Sequence, residues 1–112
     1  MDSIRPIRVS VIGAGYMAAE HLRAFDSCSD VQLVGIHSRS IERAQDLVNC
    51  YPSMNVYATI EELYAESSAD VVVIAVPELA CRNVCEQAFQ YPWSILVEKP
   101  VGHTLSEALH IE

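Results

Sequence analysis

Apolar residues along this chain gather in five short, nearly continuous runs, and between the runs they thin to the spacing of one helix face. Arg8 to Ile12, Val31 to His37, Asn55 to Tyr57, Asp70 to Val76 and Ser94 to Val97 read as strands. Val71, Val72, Val73, Ile74 and Val76 are mostly β-branched, and a run so continuous implies a central strand covered on both faces. From Gly15 to about Cys28, residues Ala18, His21, Leu22 and Phe25 fall at i, i+3, i+4 and i+7, which predicts an amphipathic helix. Ser40 can cap a second helix in which Ile41, Ala44 and Val48 share a face, stopping near Tyr51-Pro52. Thr59 and Glu62 have capping-box spacing ahead of a short helix that buries Ile60, Leu63 and Tyr64. Pro77 closes the fourth strand, and Cys81, Val84, Cys85 and Ala88 repeat at helical spacing before Tyr91-Pro92. Thr104 and Glu107 form a second capping box, opening a helix of which barely two turns precede Glu112.

Strands that alternate with helices, joined by crossovers long enough for parallel pairing, make an α/β doubly wound sheet in a single domain of three layers. The expected strand order is 3-2-1-4-5. A chain of 112 residues is one unit, able to bury roughly two thirds of its unfolded surface without staples. The sequence has no internal repeat, low-complexity tract or interdomain linker. A dinucleotide domain of six strands would need another strand after the last helix, and a substrate domain would need far more. Residues 1–112 are expected to be one domain with a truncated last helix and no substrate domain, and Gly13-Ala14-Gly15 between the first strand and first helix makes it a candidate dinucleotide-binding domain.

Charge and cysteine content narrow the class. The formal charge of -8, with no run of Lys and Arg, argues against a nucleic-acid or anionic-membrane partner, so any anion must be held locally. Cys28, Cys50, Cys81 and Cys85 include no C-x-x-C pair and sit in apolar company, which suits free thiols in a reducing, cytoplasmic setting. Arg5 and Arg8 before an apolar run ending in Ala18-Ala19 imitate a secretory signal, but two glycines break the run. No stretch reaches the ~18 apolar residues of a membrane span.

The chemistry gathers at strand ends. Between the first strand and first helix stands Gly13-Ala14-Gly15-Tyr16-Met17-Ala18, a G-x-G-x-x-G pattern whose third position is alanine. Gly13 permits the tight turn, Gly15 lets backbone N–H groups approach a pyrophosphate, and Ala18 permits close packing of helix on strand. The acidic residue that would hold a free 2'-hydroxyl after the second strand is absent; the chain reads His37-Ser38-Arg39-Ser40, whose hydroxyls and guanidinium can hold a 2'-phosphate. The competing explanation is that Ser38 and Ser40 only cap a helix while Arg39 is solvated. Glu98-Lys99-Pro100 follows the fifth strand, and Lys99 is the only lysine in the chain. At that end of a parallel strand Lys99 faces the ligand crevice, with Glu98 placed to pair with it or orient it; the alternative is an exposed ion pair worth little.

Gly13-Ala14-Gly15, Ser38-Arg39, Ala75-Val76-Pro77 and Glu98-Lys99-Pro100, each after its own strand, together resemble the cofactor domain of the Gfo/Idh/MocA oxidoreductases. The likeness covers nearly the whole chain. It implies a Rossmann-like fold and a cofactor-binding set of Gly13, Ala14, Gly15, Tyr16, Met17, Ser38, Arg39, Val76, Pro77, Glu98, Lys99 and Pro100. It also implies hydride transfer between a nicotinamide cofactor and a hydroxyl or carbonyl carbon of a sugar, cyclitol or diol, while Ser38 and Arg39 make NADP the expected cofactor in preference to NAD. The lysine matching Lys99 contacts cofactor ribose and the reacting oxygen in that family, which makes Lys99 the candidate catalytic residue. Glu78 stands where the family usually has asparagine, Cys81 where it often has histidine, and Pro92 where a glycine is usual. The first two departures bear on the nicotinamide side. The family's acid-base Asp and His lie in its second domain and match no residue here.

Two other functional classes compete with the enzyme. One is a module that binds or senses a dinucleotide without turning it over; the other is a scaffold that has lost the ligand. Cys81 and Cys85 could begin a metal site, yet they share an apolar stripe with Val84 and Ala88, so core packing and no metal are expected. His103 reads as a loop histidine, and Glu61 and Glu62 as first-turn carboxylates suited to the helix dipole. Apolar Leu105, Leu109 and Ile111 near an uncovered fifth strand lead to an expected homo-oligomer.

Overall fold

The computed structural model describes residues 6–98. Lys99, Pro100, His103 and the helix expected from Thr104 lie outside the described residues. Within them the chain runs β1 (Ile7–Ile12), α1 (Tyr16–Asp26), β2 (Val31–His37), α2 (Ile41–Val48), β3 (Asn55–Val56), α3 (Ile60–Ser67), β4 (Val71–Ile74), α4 (Glu78–Ala88) and β5 (Ser94–Val97). The five strands form one parallel sheet in the order β3-β2-β1-β4-β5. The order and the alternation are those the periodicity predicts.

The sheet buries two apolar layers. Val9, Val11, Leu33, Ile36 and Val73 pack with Ala18 and Leu22 of α1 and Ala44 and Val48 of α2. Ile12, Val34, Val72 and Ile74 pack with Leu63 of α3 and with Cys81, Cys85 and Ala88 of α4. Tyr64, expected in the α3 core face, is only half-buried; its ring stacks on Tyr91 at 4.6 Å and meets Trp93 edge-on. Ile41, expected to share the buried face of α2, is instead 51% exposed, because the first residue of that helix sits beyond the edge of the layer that Ala44 and Val48 fill.

Four strand boundaries differ from the sequence reading, one of them the start of β4, at Val71 and not Asp70. β1 starts one residue early at Ile7, whose N–H donates to the Asp30 carbonyl. β3 stops at Val56, although the Tyr57 N–H still donates to the Ile36 carbonyl. β4 ends at Ile74 and not Val76: its neighbour β1 ends at Ile12, so after the Ala75 N–H donates to the Ile12 carbonyl nothing on that side remains to pair. Val76 and Pro77 thus leave the sheet and turn toward α4.

Caps behave much as their residues dictate. The Ser40 hydroxyl accepts from the Arg43 N–H, and the Thr59 hydroxyl accepts from the Glu62 N–H. The expected return bond from Glu62 shifts by one residue, its carboxylate accepting from the Ala58 N–H. α3 ends on Ser68 in the left-handed region, φ 55°. Arg8 holds that turn from β1, its guanidinium donating to the carbonyls of Ser67 (2.9 Å) and Ser68 (3.1 Å).

Candidate functional site

β1 and β4 lie side by side, yet their chains leave in opposite directions, β1 into α1 over one face of the sheet and β4 into α4 over the other. That divergence opens a crevice at the carboxyl ends of the strands, the place where doubly wound sheets take ligands. A cleft of about 680 Å³ occupies it, within the size range of small-ligand pockets.

Gly13 makes the turn possible. Its φ of +124° is one that side chains rarely adopt, and a Cβ there would lie 2.1 Å from the Ala75 carbonyl oxygen. Its own N–H donates to the His37 carbonyl at 2.8 Å, tying the loop to the end of β2. Gly15 differs from it. The residue is exposed, has an ordinary extended φ of -94°, and a Cβ would meet nothing within 4 Å. Space, not packing, lies where its side chain would be.

Gly15 is also the N-cap of α1, and no side chain caps that helix or places an acid in its first turn. α2 and α3 are finished otherwise, with Ser40 and Thr59 as caps and Glu42, Glu61 and Glu62 in their first turns. The positive end of α1 is therefore left bare toward the cleft, which suits an anion held by backbone N–H groups. A pyrophosphate fits both features, the open cradle at Gly15 and the uncompensated dipole.

The cleft brings together every sequence-predicted site residue that is described. Gly13, Ala14, Gly15, Tyr16 and Met17 form one wall, Ser38 and Arg39 lie at the end of β2, Val76 and Pro77 follow β4, and Glu98 follows β5. Ser40, whose hydroxyl the sequence reading offered to a 2'-phosphate, lines it too, while His37, Arg43, Ala80 and Val84 line it without having been given a role. Arg43 lies in the first turn of α2 and Arg39 just before its Ser40 cap, so the end of β2 carries two guanidinium groups. Ser38 does more than await a ligand, since its hydroxyl accepts from the Ser40 N–H at 3.1 Å. His37 is oriented by its ring Nδ1–H, which donates to the Tyr57 carbonyl at 3.0 Å.

Glu98 takes a partner that sequence reasoning had assigned to the helix core. Its Oε1 accepts from His21 Nε2 at 2.6 Å, across from α1, while the Glu98 N–H donates to the Ile74 carbonyl. Cys81 and Cys85 are buried, their sulfurs 3.9 Å apart, and burial together with the neighbouring Cys81 pushes the Cys85 thiol up to about 12. Both thiols belong to the layer beneath α4. Among the described residues, no helix is long and apolar enough to cross a membrane.

Residues 7–111 match the Gfo/Idh/MocA profile, described as an oxidoreductase family with an NAD-binding Rossmann fold. The chain belongs to the Gfo/Idh/MocA family. Its match to inositol 2-dehydrogenase 2 of Paenarthrobacter aurescens is 30% identical and covers 95% of this chain but 32% of that protein. The scyllo-inositol 2-dehydrogenase (NADP(+)) IolU of Bacillus subtilis is 26% identical over 90% of this chain and 31% of its own length. Among solved structures, UDP-N-acetylglucosamine 3-dehydrogenase of Acidithiobacillus ferrooxidans superposes with a TM-score of 0.77 at 27% identity, covering 96% of this chain and 34% of that one. The chain spans about a third of the length of the curated relatives it matches. What it carries is the family's NAD(P)-binding domain, and the cleft is where a Gfo/Idh/MocA protein of this topology presents its strand ends.

Proposed function

We infer that this domain binds NADP in preference to NAD and serves an oxidoreductase acting on a sugar, cyclitol or related diol. The observation that carries the cofactor preference is the end of β2, where Ser38, Arg39, Ser40 and Arg43 line the cleft and no carboxylate stands among them. Two guanidinium groups and two hydroxyls offer donors to a 2'-phosphate, whereas a free 2'-hydroxyl is best held by an acid. Across β1, the bare N-terminus of α1 takes the pyrophosphate between Gly13 and Met17. The second half of the dinucleotide then extends toward Val76, Pro77 and Glu98.

The nicotinamide, when bound, supplies the hydride chemistry. The chain's own residues bind and orient the cofactor, and Lys99 with Pro100, next in sequence after Glu98, is assigned its role beside the reacting oxygen from the family likeness. The substrate class rests on relatives named for inositol and UDP-N-acetylglucosamine, both polyhydroxylated rings.

Titration of the protein with NADPH and NADH, followed by cofactor fluorescence, tests the preference. NADPH should bind more tightly, and Arg39→Ala should remove about tenfold or more of that advantage, the share of one charge-assisted contact of about 1.5–3 kcal/mol. Equal affinity for the two cofactors in the unaltered protein would overturn the assignment of Arg39. NADPH binding with no reduction of any sugar or diol by the full-length protein would favour a sensing module.

A further inference from the structure

The cleft has an end to which the reading above gives no charge logic. Ser38 and Arg39 sit beyond β2 and Glu98 beyond β5, on opposite sides of β1. A dinucleotide lying across the switch point, with its adenosine ribose at β2, places its other nucleoside toward β4 and β5. Among the described residues that line the cleft, Glu98 is thus a carboxylate on the nicotinamide side, opposite the guanidinium groups of Arg39 and Arg43.

Its position is set from outside the strand. The backbone of Glu98 is fixed by its N–H donating to the Ile74 carbonyl at 2.8 Å. The side chain is held by His21, one and a half turns into α1, at 2.6 Å between Nε2 and Oε1. A carboxylate only accepts, so Nε2 carries the proton of that bond. The imidazole is in turn backed by the Phe25 ring one turn further along α1, centroids 6.4 Å apart at an interplanar angle of 26°. Both side chains of the pair are about three-quarters covered, 21% and 27% exposed. Glu20 and Arg23, the charged neighbours of His21 on α1, pair with each other.

We propose that Glu98, positioned by His21, makes the cleft discriminate between the two redox forms of the cofactor, favouring the oxidised one. The two forms share their phosphates, riboses and adenine. They differ in the nicotinamide ring, a pyridinium with one positive charge when oxidised and a neutral dihydropyridine when reduced. A carboxylate on that side attracts the first and gains nothing from the second. Glu98 is then a specificity-determining residue and His21 a positioning residue, acting only through it. The proposal rests on cofactor binding as inferred above.

The test is the ratio of the dissociation constants of NADP+ and NADPH, by calorimetry at one fixed pH. Glu98→Gln keeps shape and hydrogen bonding and removes the charge. It should weaken NADP+ relative to NADPH by about five- to tenfold, the scale of one partly screened charge pair. His21→Leu frees the carboxylate to turn to solvent and should move the ratio the same way, while His21→Gln, which still presents an N–H, should restore most of it. A purely structural tie between α1 and β5 would weaken both forms together and leave the ratio where it was. An unchanged ratio in Glu98→Gln overturns the proposal, and an unchanged ratio in His21→Leu alone overturns the part played by His21. Failure of the unaltered protein to bind either form would instead sink the cofactor reading.

Discussion

The two glycines of the β1–α1 turn make a matched pair of substitutions with opposite signatures. In Gly13→Ala the new methyl would lie 2.1 Å from the Ala75 carbonyl oxygen and 2.8 Å from its carbon, at a φ of +124°. Ala75 cannot easily withdraw, because its N–H is bonded to Ile12 at the centre of the sheet. Backbone strain of about 1–3 kcal/mol and overpacking of about 1–3 kcal/mol sum to about 2–6 kcal/mol. Against a total stability of about 5–15 kcal/mol, that is a large fraction. The melting temperature should fall by about 10 °C or more. In Gly15→Ala the methyl meets nothing within 4 Å and the φ of -94° is ordinary. The unfolded chain loses entropy worth about 0.4–1 kcal/mol, which stabilises the fold, while alanine is a poorer N-cap than glycine by a comparable amount. Net stability should change by less than about 0.5 kcal/mol. NADPH affinity should fall by about tenfold or more, since the methyl occupies the space where an anion must approach the backbone N–H groups. Urea denaturation of each variant, with a parallel NADPH titration, separates the two effects. A Gly13→Ala variant as stable as the parent would remove the Ala75 carbonyl as the reason for glycine at position 13, and a Gly15→Ala variant that binds NADPH as the parent does would remove Gly15 from the anion cradle.

Two further outcomes follow from the chemistry of single side chains. In this domain complemented by a substrate domain, Lys99→Met should cut turnover by about a hundredfold while weakening NADPH only modestly, because an ammonium near a developing oxyanion contributes mainly in the transition state; unchanged turnover in steady-state assays would remove Lys99 from the catalytic role. The Cys85 thiol, raised from 9.0 to about 12 by burial, is held neutral in the fold, so its contribution is fully present below about pH 9 and is lost as pH rises from there to about 12. Stability by urea titration should therefore decline with pH over that window, by up to about 1.4 kcal/mol per unit, and Cys85→Val should flatten the decline; an equal decline in the variant would show that another group is responsible.

The hydrophobic pattern made the fold readable because each strand is covered on both faces and so appears as an uninterrupted apolar run. Val71 to Ile74 needed no context for that. Val76 continued the run in sequence without continuing the strand, since the length of β4 is fixed by where β1 stops, a fact about a segment some 60 residues away. Gly13 and Gly15 were placed by their motif, but their different duties, one set by the Ala75 carbonyl and the other by empty space, needed coordinates. His21 was invisible for a related reason. At i+3 from Ala18 it fitted the buried face of α1, and nothing local shows that this face ends opposite Glu98. Arg43 could have been found, since Ser40 signals the start of α2 at the end of β2 and Arg43 falls in that first turn.

The place of β1 in the sheet has a consequence for synthesis. Of the five described strands it is the first to be made, and it lies in the middle of their sheet, with β2 on one side and β4 on the other. β2 follows within one short helix, but the register Val9 to Val71 cannot form until a further 62 residues have been made. At about 5–20 residues per second, that is a delay of about 3–12 s. During it one edge of β1 has no neighbour, and an apolar strand with an open edge is the kind of surface that pairs with whatever chain is nearby. When Asp70 arrives, its carboxylate accepts the Arg8 N–H, its own N–H donates to the Arg8 carbonyl, and the Arg8 guanidinium takes hold of the turn just before it. Those contacts hold the residue just before β4 against β1, and with β4 paired alongside, the open edge of β1 is covered.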